Sequence, residues 1–568
     1  MASTEAASPA SPALLAALRR AARDIGAPDD FEPGVERPAD PAHGDLASNA
    51  ALVLARALRR RPRDIAEDLA ARLDADAAGL ASVEVAGPGF LNFRLDDGIL
   101  WRGLVASILA GDGWGRTRAA APEKINVEFV SANPTGPLHV AHGRGAAIGD
   151  AAASLLEWTG HEVCREFYVN DAGRQIELLG RSVAARLAEA EGREAEIPEG
   201  GYLGDYVADI AARIAADAAA ALPDPSAPER DGRLADLAAA LLREEQEADL
   251  AAFGVRFDRW ASERSLFAEG QVEALLSELE SRGGAYRADG ALWLRTSAHG
   301  DEKDRVLVKS DGSHTYFASD IAYHLDKKRR GFDRAIDVWG ADHHGHVARM
   351  RAALAAGGVD PDFLEVLILQ LVTVLRDGAE VRMSKRAGTF VTLRELLDET
   401  GPDVARYFFL MRRAEVPMTF DLDLALDTSE KNPVYKVQYA HARMCRIFER
   451  GGVDPAELAV DEAELAALRR PAERRVAKTL LRLPEVVAGA AAARAPYQVC
   501  AFLDELAGAV NAWYHEGNVD PAARVLADGP ARRARLSLAD AARRTLRQGL
   551  RVLGISAPEQ MWREEEAS

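Results

Sequence analysis

Cysteine is scarce in this chain. Its 568 residues include three, Cys164, Cys445 and Cys500. They stand far apart and form no C-x-x-C pair, which argues against structural zinc and a disulfide framework and suits a reducing cytosol. Long apolar runs are lacking too. The longest, Val366 to Leu375, contains Gln370 and Thr373 and falls short of the roughly 18 residues of a membrane span, so no membrane association is expected. Glu5 stands early and no basic n-region precedes it, which argues against a secretory signal. No internal repeat is evident, which argues against a repeat architecture. Positive charge is also in deficit: 70 Lys and Arg against 89 Asp and Glu leave a net charge of −19. A phosphate backbone attracts Lys and Arg, so the overall charge speaks against nucleic acid. A local basic face on a large acidic protein remains compatible with it.

What is present points to a globular protein of several units. Hydrophobic residues make up 48% and charged residues 28%, ordinary for a folded chain. At about 150 residues per domain the length suggests three or four units. The chain turns on one stretch. Ile125 to Val130 is strand-like, Asn133-Pro134-Thr135-Gly136-Pro137 is a loop, and His139 and His142 open a small-residue helix from Gly143 to Ala153. Strand, loop and helix start form a phosphate site in an α/β sheet, because unpaired N–H groups and the positive helix end face the anion. Residues three apart share a helix face, so both imidazoles reach one ligand. A capped helix with two surface histidines reads equally well from this stretch alone.

The rest falls into three units. Residues 1–118 read as a small α/β module. Residues 119–430 alternate strand and helix, with a helical insertion at about 181–270 that Pro223, Pro225 and Pro228 break once. The charge runs of the insertion read as solvated helix faces, with no chemistry assigned. Residues 431–568 read as nearly all helix. Within the middle unit, Cys164 to Val169 runs into a polar turn, Asn170 to Gln175, and Asp320 follows the segment Thr315 to Ser319 as a helix opens. Asp337-Val338-Trp339-Gly340-Ala341-Asp342-His343-His344-Gly345-His346 ends an apolar strand in a polar cluster, where α/β sheets bind ligands. Three histidines and an aspartate also permit a metal reading, but ligation would withdraw them from a nucleotide.

A second stretch, Arg382-Met383-Ser384-Lys385-Arg386 followed by Ala387-Gly388-Thr389, decides between these readings. Paired with the histidine stretch, it resembles the two signatures of class I aminoacyl-tRNA synthetases, His-x-Gly-His and Lys-Met-Ser-Lys-Ser. Flanking residues narrow the resemblance to the arginyl-tRNA synthetase family over nearly the whole chain. They include Glu36-Arg37-Pro38 through Asn49, Ala86-Gly87-Pro88-Gly89-Phe90-Leu91-Asn92-Phe93, and Tyr316 with Asp320. Ala141, Arg382 and Arg386 depart from the signatures, whereas Lys385 is intact.

The resemblance implies an α/β fold: a Rossmann-like parallel-sheet catalytic domain with a helical insertion, a small α/β N-terminal domain and an all-α C-terminal domain. It implies ligation of L-arginine to tRNA(Arg) through an arginyl-adenylate made from ATP with Mg2+, in a cytoplasmic monomer. The alternative is an adenylating ligase or nucleotidyltransferase of the same superfamily that needs no tRNA. His139, His142, Ser384 and Lys385 would act on the phosphates. Glu128 and Asn133 would hold the arginine ammonium, Tyr316 and Asp320 its side chain, with His343 in the same pocket. Ser131, Gly143, Gly340, Asp342, His346 and Met383 would line the ATP site. Phe90 and Asn92, with Phe93 beside them, would meet the tRNA elbow. Tyr435, Tyr439, Trp513 and Tyr514 would stack on anticodon bases. For each of these aromatics a core role reads as well.

Overall fold

The computed structural model describes residues 12–38, 40–217, 222–224, 227–381, 391–458 and 460–561. Five strands form the central sheet: β1 Lys124–Glu128, β2 Glu162–Val169, β3 Arg259–Ser262, β4 Arg334–Gly340 and β5 Leu364–Leu369. Their spatial order is 3-2-1-4-5, and every pairing is parallel. Ile125, Val127, Phe167 and Ile336 are fully buried, as expected of parallel strands covered on both faces. The chain reverses its direction of travel across the sheet between β1 and β4. Ligands of open α/β sheets bind at that point, outside the carboxyl ends.

The helix Val140–Trp158 crosses from β1 to β2 and is buried along nearly its whole length. A side chain at Gly149 would lie 2.2 Å from Cγ of Phe129, so glycine permits the close helix–strand approach. Between β2 and β3 stand three helices, Arg174–Ala190, Asp205–Ala216 and Arg230–Ala252, closed over an apolar cluster of their own that includes Ile176, Val183, Ile210 and Leu234. The sequence pattern placed residues up to about 270 in this insertion. Arg259–Ser262 instead pairs with β2 as the edge of the sheet. Four residues are too few to show a period. A three-stranded antiparallel sheet follows β3, and the helix Tyr316–Arg329 leads into β4.

The N-terminal residues form a three-stranded antiparallel sheet with Phe90–Leu95 in the middle, packed on helices around a separate core of Leu18, Leu54, Leu69 and Phe93. At the other end, helices Pro433–Gly451, Pro471–Leu480, Leu483–Ala493, Tyr497–Val519 and Arg532–Val552 form a bundle. Its core is continuous with that of the sheet: Val127, Phe409, Val437 and Trp513 belong to one cluster. Among the described residues, no helix is long and apolar enough to cross a membrane.

Candidate active site at the carboxyl edge of the sheet

The histidine stretch and the second signature are joined through the segment that follows the latter. The N–H of Val140 donates to the carbonyl of Val391 at 3.3 Å, and that of Leu393 to Leu138 at 2.8 Å. His139 and Thr392 thereby form an antiparallel bridge. Met383, Ser384 and Lys385 lie outside the described residues, but Val391 follows them by six positions. His139 caps the helix Val140–Trp158. Its ring stacks on that of His142 with centroids 3.7 Å apart, and its N–H donates to Nδ1 of His142 at 3.2 Å. Gly143 is buried. A methyl there would meet Leu393 Cδ1 at 2.8 Å and Phe409 at 3.2 Å. The glycine therefore permits the close approach of the segment after the second signature.

Beneath this edge runs a buried row of charge that the sequence reading missed. Asp337, Glu128 and Glu166 are register partners on β4, β1 and β2, all buried. The helix Tyr316–Arg329 lays its cations over them. Lys327 donates to Glu128 at 2.5 Å and Asp337 at 2.9 Å, His324 meets Asp337 at 2.7 Å, and Arg330, just past the helix, meets Glu166 at 2.7 and 2.9 Å. Unpaired charges in this position would each cost several kcal/mol, roughly. Lys327 and His324 hold Asp337 down to about 2 against the effect of burial. Burial raises Glu128 above the usual carboxylate range, against the pull of Lys327. Glu128, His324 and Asp337 have metal-ligand geometry, yet the ammonium of Lys327 occupies the position of a cation. The sequence shows the parts separately, acids inside apolar strands and His324, Lys327 and Arg330 spaced by three, and the strand register brings them together.

Glu128 is thus engaged at both oxygens, because Ser131 donates to its other oxygen at 2.9 Å. The Ser131 hydroxyl in turn accepts the N–H of Tyr168 at 3.1 Å. Expected at ATP, Ser131 instead braces a strained turn: Val130 and Ser131 have φ of 69° and 41°, rare for a β-branched residue and found where sites store strain. Asn133 follows on the loop, its amide bonded to Gln175 in the first turn of the helix Arg174–Ala190. Tyr316 is exposed, its hydroxyl 3.8 Å from where a side chain at Gly173 would begin.

Two histidines of the polar cluster stand in different surroundings. His346, assigned to ATP, lies 3.3 Å from Asp320. His343, assigned to the arginine pocket, lies beside the largely exposed Asp342, with Trp339 between the two rings. The helical turn that starts at His344 carries His346 back over the sheet edge while His343 stays on the outer loop. Gly340 and Asp342 are exposed on that loop. Another residue outside the sequence reading, Arg144, is fully buried on the histidine-capped helix. It donates to the carbonyls of Gln370, Arg413 and Val416, and burial lowers its pKa to about 10.

Away from the sheet, Trp513 is 1% exposed in the bundle core, so it is a packing residue and cannot stack on a base. Tyr435 is also buried, its ring parallel to that of Tyr439. Tyr439, itself only 7% exposed, and the half-buried Tyr514 line a cavity of about 300 Å³ with Arg443, Arg446, Arg450, Glu449 and Glu559. The Arg443 guanidinium lies 4.6 and 4.5 Å from the two ring centres. In the N-terminal sheet, Leu91 and Phe93 face the core. Phe90, half-buried, and Asn92, 8% exposed, alternate onto the opposite face.

Comparison with known proteins agrees with this geometry. Residues 104–408 match the family model for the catalytic domain of class I (R) tRNA synthetases, and with the sheet order they define a class I aminoacyl-tRNA synthetase. Residues 12–95 match the arginyl tRNA synthetase N-terminal domain, and 437–561 the DALR anticodon binding domain. The arginine–tRNA ligase of Syntrophotalea carbinolica is 48% identical, covering 93% of this chain and 95% of its own. That of Halorhodospira halophila is 46% identical, covering 96% and 99%. The structure of Thermus thermophilus arginyl-tRNA synthetase superposes with a TM-score of 0.73 at 27% identity, covering 97% and 99%. The chain belongs to the arginyl-tRNA synthetase family.

Proposed function

We propose that this protein ligates L-arginine to tRNA(Arg), and that it works as a cytoplasmic monomer, as is common in the family. An arginine carboxylate oxygen attacks the α-phosphorus of ATP and expels pyrophosphate. A ribose hydroxyl at the tRNA 3′ end, the 2′ by resemblance to class I enzymes, then attacks the adenylate carbonyl and expels AMP. Neither step requires a protein nucleophile, so catalysis consists of positioning and stabilising charge on the phosphates. His139 and His142 donate to those phosphates from a helix start. Lys385 and Ser384 hold the departing pyrophosphate, with Met383 beside adenosine. Magnesium arrives on the phosphate oxygens rather than in a protein cage.

Asp320 takes the arginine guanidinium, since a planar fork suits a carboxylate. Tyr316 lies alongside, and His346 at 3.3 Å orients Asp320. Asn133 takes the ammonium end. Glu128 adds its charge beneath, through lone pairs left by Lys327 and Ser131. Gly340, Asp342 and His343 border the adenosine. Phe90 and Asn92 present their face of the N-terminal sheet to the tRNA elbow. Tyr439, Tyr514 and the arginines of their cavity take unstacked anticodon bases. The observation that supports this reading is the junction of residues 138–140 with 391–393, which sets the histidine stretch against the segment that begins six residues after Lys385 in the chain. The N- and C-terminal matches disfavour a ligase that works without tRNA. ATP–pyrophosphate exchange with each amino acid, with and without tRNA, tests the proposal. Arginine alone should support exchange, and only with tRNA present, as in the family. Exchange driven by another amino acid, or adenylation of arginine without any charging of tRNA, overturns it.

A further inference from the structure

The helix Arg230–Ala252 of the insertion, whose charged residues read from sequence as a solvated face, touches both signature segments. Gln246, 1% exposed, donates its amide to two carbonyls of the histidine loop, Asn133 at 3.1 Å and Gly136 at 2.9 Å. From the neighbouring insertion helix, the hydroxyl of Tyr206 donates to the carbonyl between them, Thr135, at 2.8 Å. Three carbonyls within four residues of one loop are thus held by side chains of the insertion. One helical turn beyond Gln246, and hence on the same face, Asp249 accepts from Arg394 at 2.7 and 2.9 Å. Arg394 stands at the start of the helix Leu393–Thr400, next to the residues that pair with Leu138 and Val140. Gln246 and Asp249 are both buried; the Gln246 amide nitrogen and the Asp249 carboxylate make the bonds just described, while Gln246 Oε1 is buried without a partner among the described residues.

We propose that this helix is a strut that sets the spacing between the histidine loop and the segment 391–394. Gln246 is a positioning residue for the loop that carries Asn133, and Asp249 is a positioning residue for the segment after Lys385. The assignment rests on the function proposed above, because it is arginine that the Asn133 loop binds and ATP that the junction closes on. The two contacts act on different substrates and so have different signatures.

Full-length protein should be assayed by tRNA-supported ATP–pyrophosphate exchange. Gln246→Met keeps the volume and removes both donors. It should raise the arginine KM by about tenfold or more while the ATP KM stays within about twofold. Asp249→Asn should lower kcat severalfold with the arginine KM unchanged. The charge-reversed pair Asp249→Arg with Arg394→Asp should recover most of that loss, since the coupling belongs to the pair. Amide hydrogen exchange provides a measure independent of catalysis. Residues 133–140 should exchange faster in Gln246→Met, and residues 391–397 faster in Asp249→Asn. The strut is overturned if Gln246→Met moves both KM values together or neither, if reversal of the pair recovers nothing, or if exchange is unchanged in both segments. Wild-type protein that shows no arginine-dependent exchange with tRNA present would instead refute the proposed function, leaving the hydrogen-exchange result to judge the strut.

Discussion

Asp320 stands on the helix Tyr316–Arg329 with its carboxylate partly exposed and a histidine, rather than a lysine or arginine, at its side. A carboxylate so placed keeps most of its negative charge available for a cationic ligand. Asp320→Asn should therefore raise the arginine KM by about tenfold to a hundredfold, the loss of a charged hydrogen bond of roughly 1.5–3 kcal/mol, with the ATP KM barely moved. An equal rise in both, by steady-state kinetics, would place the side-chain pocket elsewhere. One turn along the same helix, His324 sits in the buried row. Burial opposes its charged form, but Asp337 at 2.7 Å outweighs burial and raises its pKa. Its stabilisation is complete below the unfolded value of about 6.5 and is lost as pH rises through the raised folded value. Asp337 behaves oppositely: its contribution is complete above about 3.9 and is lost as pH falls toward about 2. Thermal stability should peak between those unfolded values. His324→Gln should flatten the alkaline limb of a Tm–pH profile, and Asp337→Asn the acid limb. The signatures and Asp320 were legible because each is a contiguous motif. The row was not, since only strand register sets Glu128 beside Glu166 and Asp337.

The helix Val140–Trp158 carries two kinds of demand at once. Its first turn presents His139 and His142, and its buried body packs against β1 and the segment after the second signature through glycine. Gly143→Ala tests which demand the first glycine serves. Leu393 is fully buried, so its clash with a new methyl cannot be relieved by swinging into solvent. Overpacking of this kind costs about 1–3 kcal/mol. We expect Gly143→Ala to lower Tm and Leu393→Ala in the same chain to restore part of it. If Gly143→Ala leaves Tm unchanged and raises the ATP KM alone, the glycine faces the nucleotide after all. The helix was legible in its small residues, though read at 143–153 where it spans Val140–Trp158, and its facing was not legible. The pattern of the insertion helix marked its charged residues as solvated, because nothing in a single sequence distinguishes Gln246 and Asp249 from the exposed Glu244 and Glu247. The same blindness to facing placed Trp513 among base-stacking residues.

Across the molecule, the helical bundle and the parallel sheet share one apolar core. Buried Arg406 ties them further, donating to Asp150 of the histidine-capped helix and to the carbonyl of Leu553 at the end of the last long helix. A chain ending near residue 430 would expose Phe408, Phe409 and their neighbours to water, at about 25 cal/mol per Å² of apolar surface. Truncation should then give a protein that lacks near-ultraviolet circular dichroism or aggregates, rather than a free-standing adenylating enzyme. The tRNA step has to be separated from the fold by point substitution in the cavity of Tyr439 and Tyr514. There a chain of net charge −19 sets Arg443, Arg446 and Arg450 against Glu449 and Glu559, a small local excess of positive charge that overall charge conceals. Tyr514→Ala removes one stacking surface, roughly 1–3 kcal/mol. It should raise the tRNA KM by about tenfold to a hundredfold, with the arginine KM and Tm little changed. Arg450→Ala should flatten the salt dependence of tRNA binding, because each phosphate contact adds to that slope. A cavity that serves only packing would give the reverse in both variants: Tm falls, and neither the tRNA KM nor its dependence on salt moves.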